Sequence, residues 1–276
     1  MSELRRLAVL GSPISHSKSP LLHRAAYERL DLAWEYTAVE MDGDRLAEFM
    51  GGLDASWRGL SLTMPLKREV LPLLDSIDEV AAITGAANTV LFSDGARRGF
   101  NTDVGGIVRT LHEAGVLEAS RCVLLGGGAT AASALVAMRD LGAREVRVLV
   151  RRPGAAAPLV ELGSRLGVQV DEGALAEFAT IDRADLVVST VPGGTDLGVA
   201  ASAGLTSSAA LLDVAYDPWP TPLAAGWIKG GGTVVHGLGM LLHQALLQVR
   251  IFVHGDPNAP LDDEDSVLGA MRASIS

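Results

Sequence analysis

The sequence predicts an α/β protein of two domains, the second built on a doubly wound parallel sheet, and three observations lead there. After Gly115, short runs of uninterrupted apolar residues alternate with helix-like segments. Such runs fit strands buried on both faces, hence a parallel sheet covered by crossover helices. The first of them, ending at Leu125, runs directly into a glycine-rich loop and then a helix. The first hundred residues alternate too, but with a hairpin signal among them. With 276 residues, 48% hydrophobic and only 20% charged, the chain can bury one large core or two modest ones. Its 31 glycines against 4% aromatic residues agree with many tight strand-to-helix turns.

Taken in order, residues 7–10 read as a short buried strand. A loop over 11–19 follows, then a helix from Pro20, with Ser19 as its cap and proline in the first helical position. Residues 34–39 read as a second strand, 44–50 as a helix, and 59–63 as a third strand entering a turn at Pro65. Lys67 therefore falls just past a strand end. Runs 89–92 and 97–100 read as a hairpin closed by Ser93-Asp94-Gly95-Ala96, an Asp-Gly turn signal. Asn101-Thr102-Asp103 then opens a helix over 104–113. In the second half the strands are 122–125, 146–150, 186–189, 211–214 and 233–235. The intervening helices, 131–141 and about 159–166, each end in a glycine, Gly142 and Gly167. Residues 154–157 are a small-residue loop, and the acidic stretch from Asp256 is expected to fray.

Composition also excludes. A formal net charge of -10 and a pI near 5.0 argue against a nucleic-acid or anionic-membrane partner, because no basic patch stands out to offset long-range repulsion. The single cysteine, Cys122, lies in an apolar run and reads as core packing, with no internal disulfide to form. The stretch 1–10 is too short in apolar residues for a signal peptide, and no segment reaches membrane-spanning length, so a cytoplasmic protein is expected. His16, His23, His236 and His243 do not pair at ligand spacing, and no metal is expected.

The loop Gly126-Gly127-Gly128-Ala129-Thr130-Ala131 sits between a strand and a helix, the context that the dinucleotide fingerprint of the Rossmann fold requires. Glycine there lets the backbone approach a pyrophosphate, whose charge the unpaired amides and helix dipole stabilise. An NAD-preferring site carries an acid at the end of the next strand to take the ribose 2'-hydroxyl. Here that strand ends in Arg151 and Arg152, whose guanidinium forks suit a 2'-phosphate, so NADP is favoured.

Six motifs follow one another along the chain. They are Gly11-Ser12-Pro13-Ile14-Ser15-His16-Ser17-Lys18-Ser19-Pro20, Ser61-Leu62-Thr63-Met64-Pro65-Leu66-Lys67, Gly85-Ala86-Ala87-Asn88-Thr89, Asn101-Thr102-Asp103, Asp213-Val214-Ala215-Tyr216-Asp217-Pro218 and Gly237-Leu238-Gly239-Met240-Leu241-Leu242-His243-Gln244. In order and spacing they resemble the shikimate dehydrogenase family over nearly the whole chain. The resemblance implies an N-terminal α/β substrate domain, 1–102 with a C-terminal return at 237–276, and a Rossmann NADP domain at 103–236. The active site is then expected in the cleft between them, closing to exclude water.

By motif match, Ser17 and Ser19 bind a substrate carboxylate, with Tyr216 nearby, while Thr63, Asn88, Asp103 and Gln244 bond ring hydroxyls. Gly126, Gly127, Gly128, Ala129, Thr130, Arg151, Arg152 and Gly237 hold NADP(H), with Met240 on the nicotinamide side. Lys67 and Asp103 carry the chemistry: hydride added to a carbonyl leaves an alkoxide, and an ammonium group oriented by a carboxylate can supply its proton. Two departures stand out, Ser61 where the family more often has asparagine and Ala129 where it has glycine. The implied activity is reversible NADPH-dependent reduction of 3-dehydroshikimate to shikimate, by a monomer or homodimer. A quinate or quinate/shikimate dehydrogenase using NAD, and a non-catalytic dinucleotide-binding paralogue, stay open as alternatives.

Overall fold

The computed structural model describes residues 4–276. In chain order its regular elements are β1 (Arg5–Gly11), α1 (Ser19–Arg29), β2 (Trp34–Glu40), α2 (Gly43–Gly51), β3 (Trp57–Leu62), α3 (Leu66–Glu69), β4 (Ser76–Ile77), α4 (Glu79–Thr84), β5 (Thr89–Ser93), β6 (Ala96–Phe100), α5 (Asp103–Glu113), β7 (Arg121–Leu125), α6 (Ala129–Asp140), β8 (Glu145–Val150), α7 (Ala157–Leu166), β9 (Gln169–Ala174), β10 (Leu186–Ser189), α8 (Ala203–Ser208), β11 (Ala210–Asp213), α9 (Pro222–Lys229), β12 (Val234–His236), α10 (Gly237–His254) and α11 (Glu264–Ala273). Two compact units result. One runs to Thr102 and resumes over Leu241–Ser276; the other is Asp103–Met240.

The first unit carries a sheet in the order β2-β1-β3-β5-β6-β4. Strand β1 is parallel to β2 and β3, whereas β5 is antiparallel to β3 and β6. The hairpin closes as the sequence predicts: Ser93 pairs with Ala96, and Asp94 and Gly95 both take positive φ, 53° and 76°. Two left-handed central residues match the twist of the flanking strands, which is why Asp-Gly is favoured there. Ala8, Leu10, Leu60, Leu62 and Val90 of the sheet pack with Leu46, Met50, Leu66 and Val70 in one apolar cluster.

Two expectations fail in this unit. Ser19 does not cap α1: it is the first helical residue, Lys18 occupies the cap position with no side-chain bond, and Ser19 N–H donates to Ser17 Oγ at 3.3 Å. The stretch from Asp256 does not fray either, since it contains α11, which packs on α1 with Val267 and Met271 buried. Its acids serve the helix. Glu264 and Asp265 sit in the first turn, where the helix dipole favours negative charge, and Glu264 also pairs with Arg250.

The second unit is a sheet of six parallel strands in the order β12-β11-β10-β7-β8-β9. This is the doubly wound order, with the chain reversing direction of progress between β7 and β10. Strand β9 is not among the strands the sequence predicts. It is an edge strand in which Asp171 and Glu172 leave no apolar run. Cys122 packs in the core as expected, and burial pushes its thiol up to about 12. Among the described residues no helix is long and apolar enough to cross a membrane.

Candidate active site

In the first unit, the loops leaving the carboxyl ends of β1 and β3 are tied to each other. Ser12 N–H donates to Met64 O at 2.9 Å, and Thr63 N–H to Leu10 O at 2.9 Å. Glu40, at the end of β2, accepts from Ser12 Oγ at 2.6 Å and Ile14 N–H at 2.9 Å, fixing the start of the loop that carries Ser17 and Ser19. Because Ser17 takes the Ser19 amide itself, the Ser19 hydroxyl is spared a capping role. Thr63 and Lys67 are half-buried on the turn after β3, Lys67 on the single turn α3. The Lys67 carbonyl accepts from Ala87 N–H at 2.8 Å, which joins this turn to the segment bearing Asn88.

Asn88 is 1% exposed and Gln244 is 8% exposed, so what they bond decides how they face. Asn88 Nδ2 donates to Thr102 Oγ1 at 2.9 Å and to Gln244 Oε1 at 3.3 Å, while Gln244 Nε2 donates to Leu241 O at 2.9 Å. Thr102, absent from the predicted set, is thus a full member of this cluster. Ser61 is not: it is 3% exposed and donates inward to Gln248 Oε1 at 2.8 Å.

The second unit presents a site of a different kind. Gly126 follows β7 with φ of 108°, a conformation that side chains resist, and a Cβ there would lie 2.5 Å from Thr190 Oγ1. The turn is pinned by Gly126 N–H to Leu149 O at 3.1 Å and by Thr190 Oγ1 to Leu125 O at 2.9 Å. Gly127 and Gly128 complete it, and α6 begins at Ala129 with Gly128 in the cap position and no side-chain cap. The first-turn amides, including those of Ala129 and Thr130, are therefore left to a ligand or water, and 12 residues of helix dipole aim at them. This turn lies at the carboxyl end of β7, at the switch point of the sheet, where open α/β sheets bind ligands. Thr190, at the end of β10, is a second residue that sequence reasoning misses; its position beside the switch point is the signal that finds it.

Arg151 and Arg152 are exposed directly after β8, the neighbour of β7. Glu172 of β9 steadies their loop, accepting from Gly154 N–H at 2.5 Å and Ala156 N–H at 2.8 Å. On the other flank, Tyr216 is half-buried in the segment after β11, and Gly237 opens α10 after β12. Gly237 approaches the main chain of that segment closely: a Cβ on it would meet Val214 O at 2.3 Å. Met240 lies one turn on and is 7% exposed, and Asp103 is the buried first residue of α5.

Of the four histidines weighed at the outset, His23 is fully buried and burial lowers its pKa to about 3, opposed by its bond to Gln248. A neutral ring is the result. Among the described residues no group of three or more His, Cys, Asp or Glu converges as a metal site would.

A family model described as the shikimate dehydrogenase substrate binding domain matches residues 9–90. The shikimate dehydrogenase (NADP(+)) of Methanothermobacter thermautotrophicus is 32% identical over 268 residues, which cover 94% of each chain. The chain belongs to the shikimate dehydrogenase family. Among solved structures, the shikimate dehydrogenase of Mycobacterium tuberculosis is 39% identical with a TM-score of 0.83, covering 98% of this chain and 99% of that one. The shikimate 5-dehydrogenase of Thermus thermophilus, crystallised in complex with NADP(H) and shikimate, is 30% identical with a TM-score of 0.81, covering 98% and 99%. Family and fold class thus bear out the resemblance read from the motifs.

Proposed function

We infer that the chain is an NADP-dependent shikimate dehydrogenase, reducing 3-dehydroshikimate reversibly to shikimate in the pathway to the aromatic amino acids. The observation that carries the reading is the reach of the family match. Relatives named shikimate dehydrogenase (NADP(+)) align over both units, so the side-chain cluster around Asn88 and the glycine turn at Gly126 both fall inside it.

The residues suit the two ligands. Ser17 and Ser19, with Tyr216, offer hydroxyl donors to a carboxylate; Thr63, Asn88, Asp103 and Gln244 offer the mix of donors and acceptors that a ring polyol requires. The amides of the 126–130 turn suit a pyrophosphate, Arg151 and Arg152 suit a 2'-phosphate, and Gly237 and Met240 are assigned to the cofactor, Met240 on its nicotinamide side. NADPH, when bound, supplies a hydride to the ring ketone. The chain's own task is then the proton. Reduction leaves an alkoxide, and in this reading the Lys67 ammonium stabilises that charge and donates to it, while the Asp103 carboxylate orients the reacting groups. In the oxidative direction Lys67 takes the hydroxyl proton back. A cytoplasmic monomer or homodimer completes the reading, and the acidic composition supports a protein free of nucleic acid.

The test is cofactor reduction, followed by absorbance, with shikimate or quinate and NADP+ or NAD+. Activity largely confined to shikimate with NADP+ is expected. Lys67→Ala should lower kcat by about a thousandfold, within the range for losing a general acid, and leave NADP+ affinity within about twofold. Preference for quinate with NAD+ would move the assignment to a quinate dehydrogenase, and silence with every pair to a binding protein.

A further inference from the structure

Behind Asn88 the first unit contains a chain of buried hydrogen bonds that no part of the reaction requires and that runs in one direction only. Gln248 Nε2 lies 3.1 Å from Asn88 O and 3.0 Å from Thr89 Oγ1. A carbonyl oxygen can only accept, so the Gln248 amide is turned with its nitrogen toward Asn88 and its oxygen away. That oxygen faces Ser61 Oγ at 2.8 Å and His23 Nε2 at 3.1 Å, and both must donate to it. His23 therefore carries its proton on Nε2, leaving Nδ1 to accept from the Tyr27 hydroxyl at 3.0 Å. In the other direction, Thr89 Oγ1 accepts from Gln248, so its own proton goes to Asn88 Oδ1 at 2.9 Å. Asn88 Oδ1 also accepts from Thr102 N–H at 2.9 Å, a group that can only donate. Both lone pairs of that oxygen are used inside the protein, and the nitrogen, turned the other way, donates to Thr102 Oγ1 at 2.9 Å and, less closely, to Gln244 Oε1 at 3.3 Å.

We propose that Gln248, backed by His23, is a positioning residue for substrate recognition: through Thr89 it holds the Asn88 amide with its oxygen on Thr89 and its nitrogen toward Gln244, so that Asn88 meets the substrate as a donor in exchange for its longer bond to Gln244 Oε1. The proposal rests on the reading above that Asn88 contacts the substrate. Its members are 0–3% exposed, so no water competes for these bonds and the direction cannot reverse without leaving a polar group unpaired.

The experiment is a double-mutant cycle between Gln248→Met, which keeps the volume and removes the amide, and Asn88→Ala. Thr89→Val, which removes only the linking hydroxyl, is carried in parallel in case Gln248→Met does not fold. Gln248→Met and Thr89→Val should each raise the KM for shikimate about fivefold, the worth of one neutral hydrogen bond, with kcat changed less and the KM for NADP+ unmoved. In the Asn88→Ala background, where there is no amide to hold, the same substitutions should change the KM for shikimate no further. A merely structural role gives the other pattern, effects that multiply across the cycle or that alter both KM values and kcat alike, and that pattern overturns the proposal. If Asn88→Ala itself leaves the KM for shikimate unchanged, the site reading fails and the proposal with it; if Asn88→Ala raises it and folded Gln248→Met and Thr89→Val do not, the proposal alone fails.

Discussion

Behind the glycine turn of the second unit lies a cluster of Val123, Leu125, Leu149, Phe178, Val187, Leu205, Leu211 and Trp227, all 2% exposed or less. Behind Asn88 in the first unit lie His23, Ser61, Thr89 and Gln248, hardly more exposed but polar and bonded end to end. The contrast follows from what each site is made of. A pyrophosphate site built from main-chain amides needs only a fixed backbone, and apolar packing supplies that without direction. A site built from side-chain amides and hydroxyls has rotors to orient. Each orientation depends on the next group inward, until the chain of bonds ends on a backbone carbonyl or amide that has no choice.

The largest effect should come from the apolar side. Phe178 is fully buried and its ring lies 6.4 Å from that of Trp227, centroid to centroid. Phe178→Ala should cost about 3–5 kcal/mol in denaturant unfolding, the usual toll of a large cavity, and by the same amount at pH 5 as at pH 7, because no group in that cluster titrates. A pH-dependent loss would mean that the second unit, too, relies on polar order.

The polar side should respond to acid instead. His23 has a folded pKa of about 3, lowered by burial, against 6.5 when unfolded. Between those values the unfolded chain binds a proton that the folded one refuses, so stability falls as pH falls from 6.5 toward 3 and is flat above 6.5 on this account. The slope from this one group is about 1 kcal/mol per pH unit. Its titratable neighbours, Tyr27 and Tyr36, stay neutral throughout, since burial raises both phenols. His23→Gln, with no proton to take up, should be less stable at pH 7 yet show a flatter decline between pH 6 and 4 in the same unfolding titration. Parallel declines in variant and parent would place the acid sensitivity elsewhere.

How far this is legible in the chain depends on whether each signal is local. The Asp94-Gly95 turn and the largely apolar strands β7, β8, β10, β11 and β12 declare themselves within a few residues, and they fold as read. Ser19 misleads because two serines compete for one role, and only the geometry shows Ser17 taking the amide. Strand β9 hides because an edge strand need not be apolar on both faces. Helix α11 hides because acids that look like a solvated tail are also what a helix N-terminus favours, and the clue is Val267 and Met271 four residues apart. For the site, the motif residues stand out, but the groups that orient them do not. Gln248 could have been found: it lies four residues from Gln244, on the same face of the apolar helix α10, where an amide has little reason to be unless it is bonded.

The smallest effect separates backbone from side chain within the second unit. The amides of the glycine turn would hold the pyrophosphate that NADP+ and NAD+ share, whereas Arg151 and Arg152 would touch only the 2'-phosphate that distinguishes them. Both arginines are exposed, so their charges are screened and each is worth little compared with a buried pair. Replacing both with alanine should raise the KM for NADP+ about tenfold, a little over 1 kcal/mol, while the KM for NAD+ and for shikimate stay where they were. Gly126→Ala is the companion variant, since its Cβ would press on Thr190 and distort the turn itself; it should weaken both cofactors together. If the arginine variant also loses NAD+, the arginines support the loop rather than read the phosphate, and cofactor choice would then have to come from the main chain.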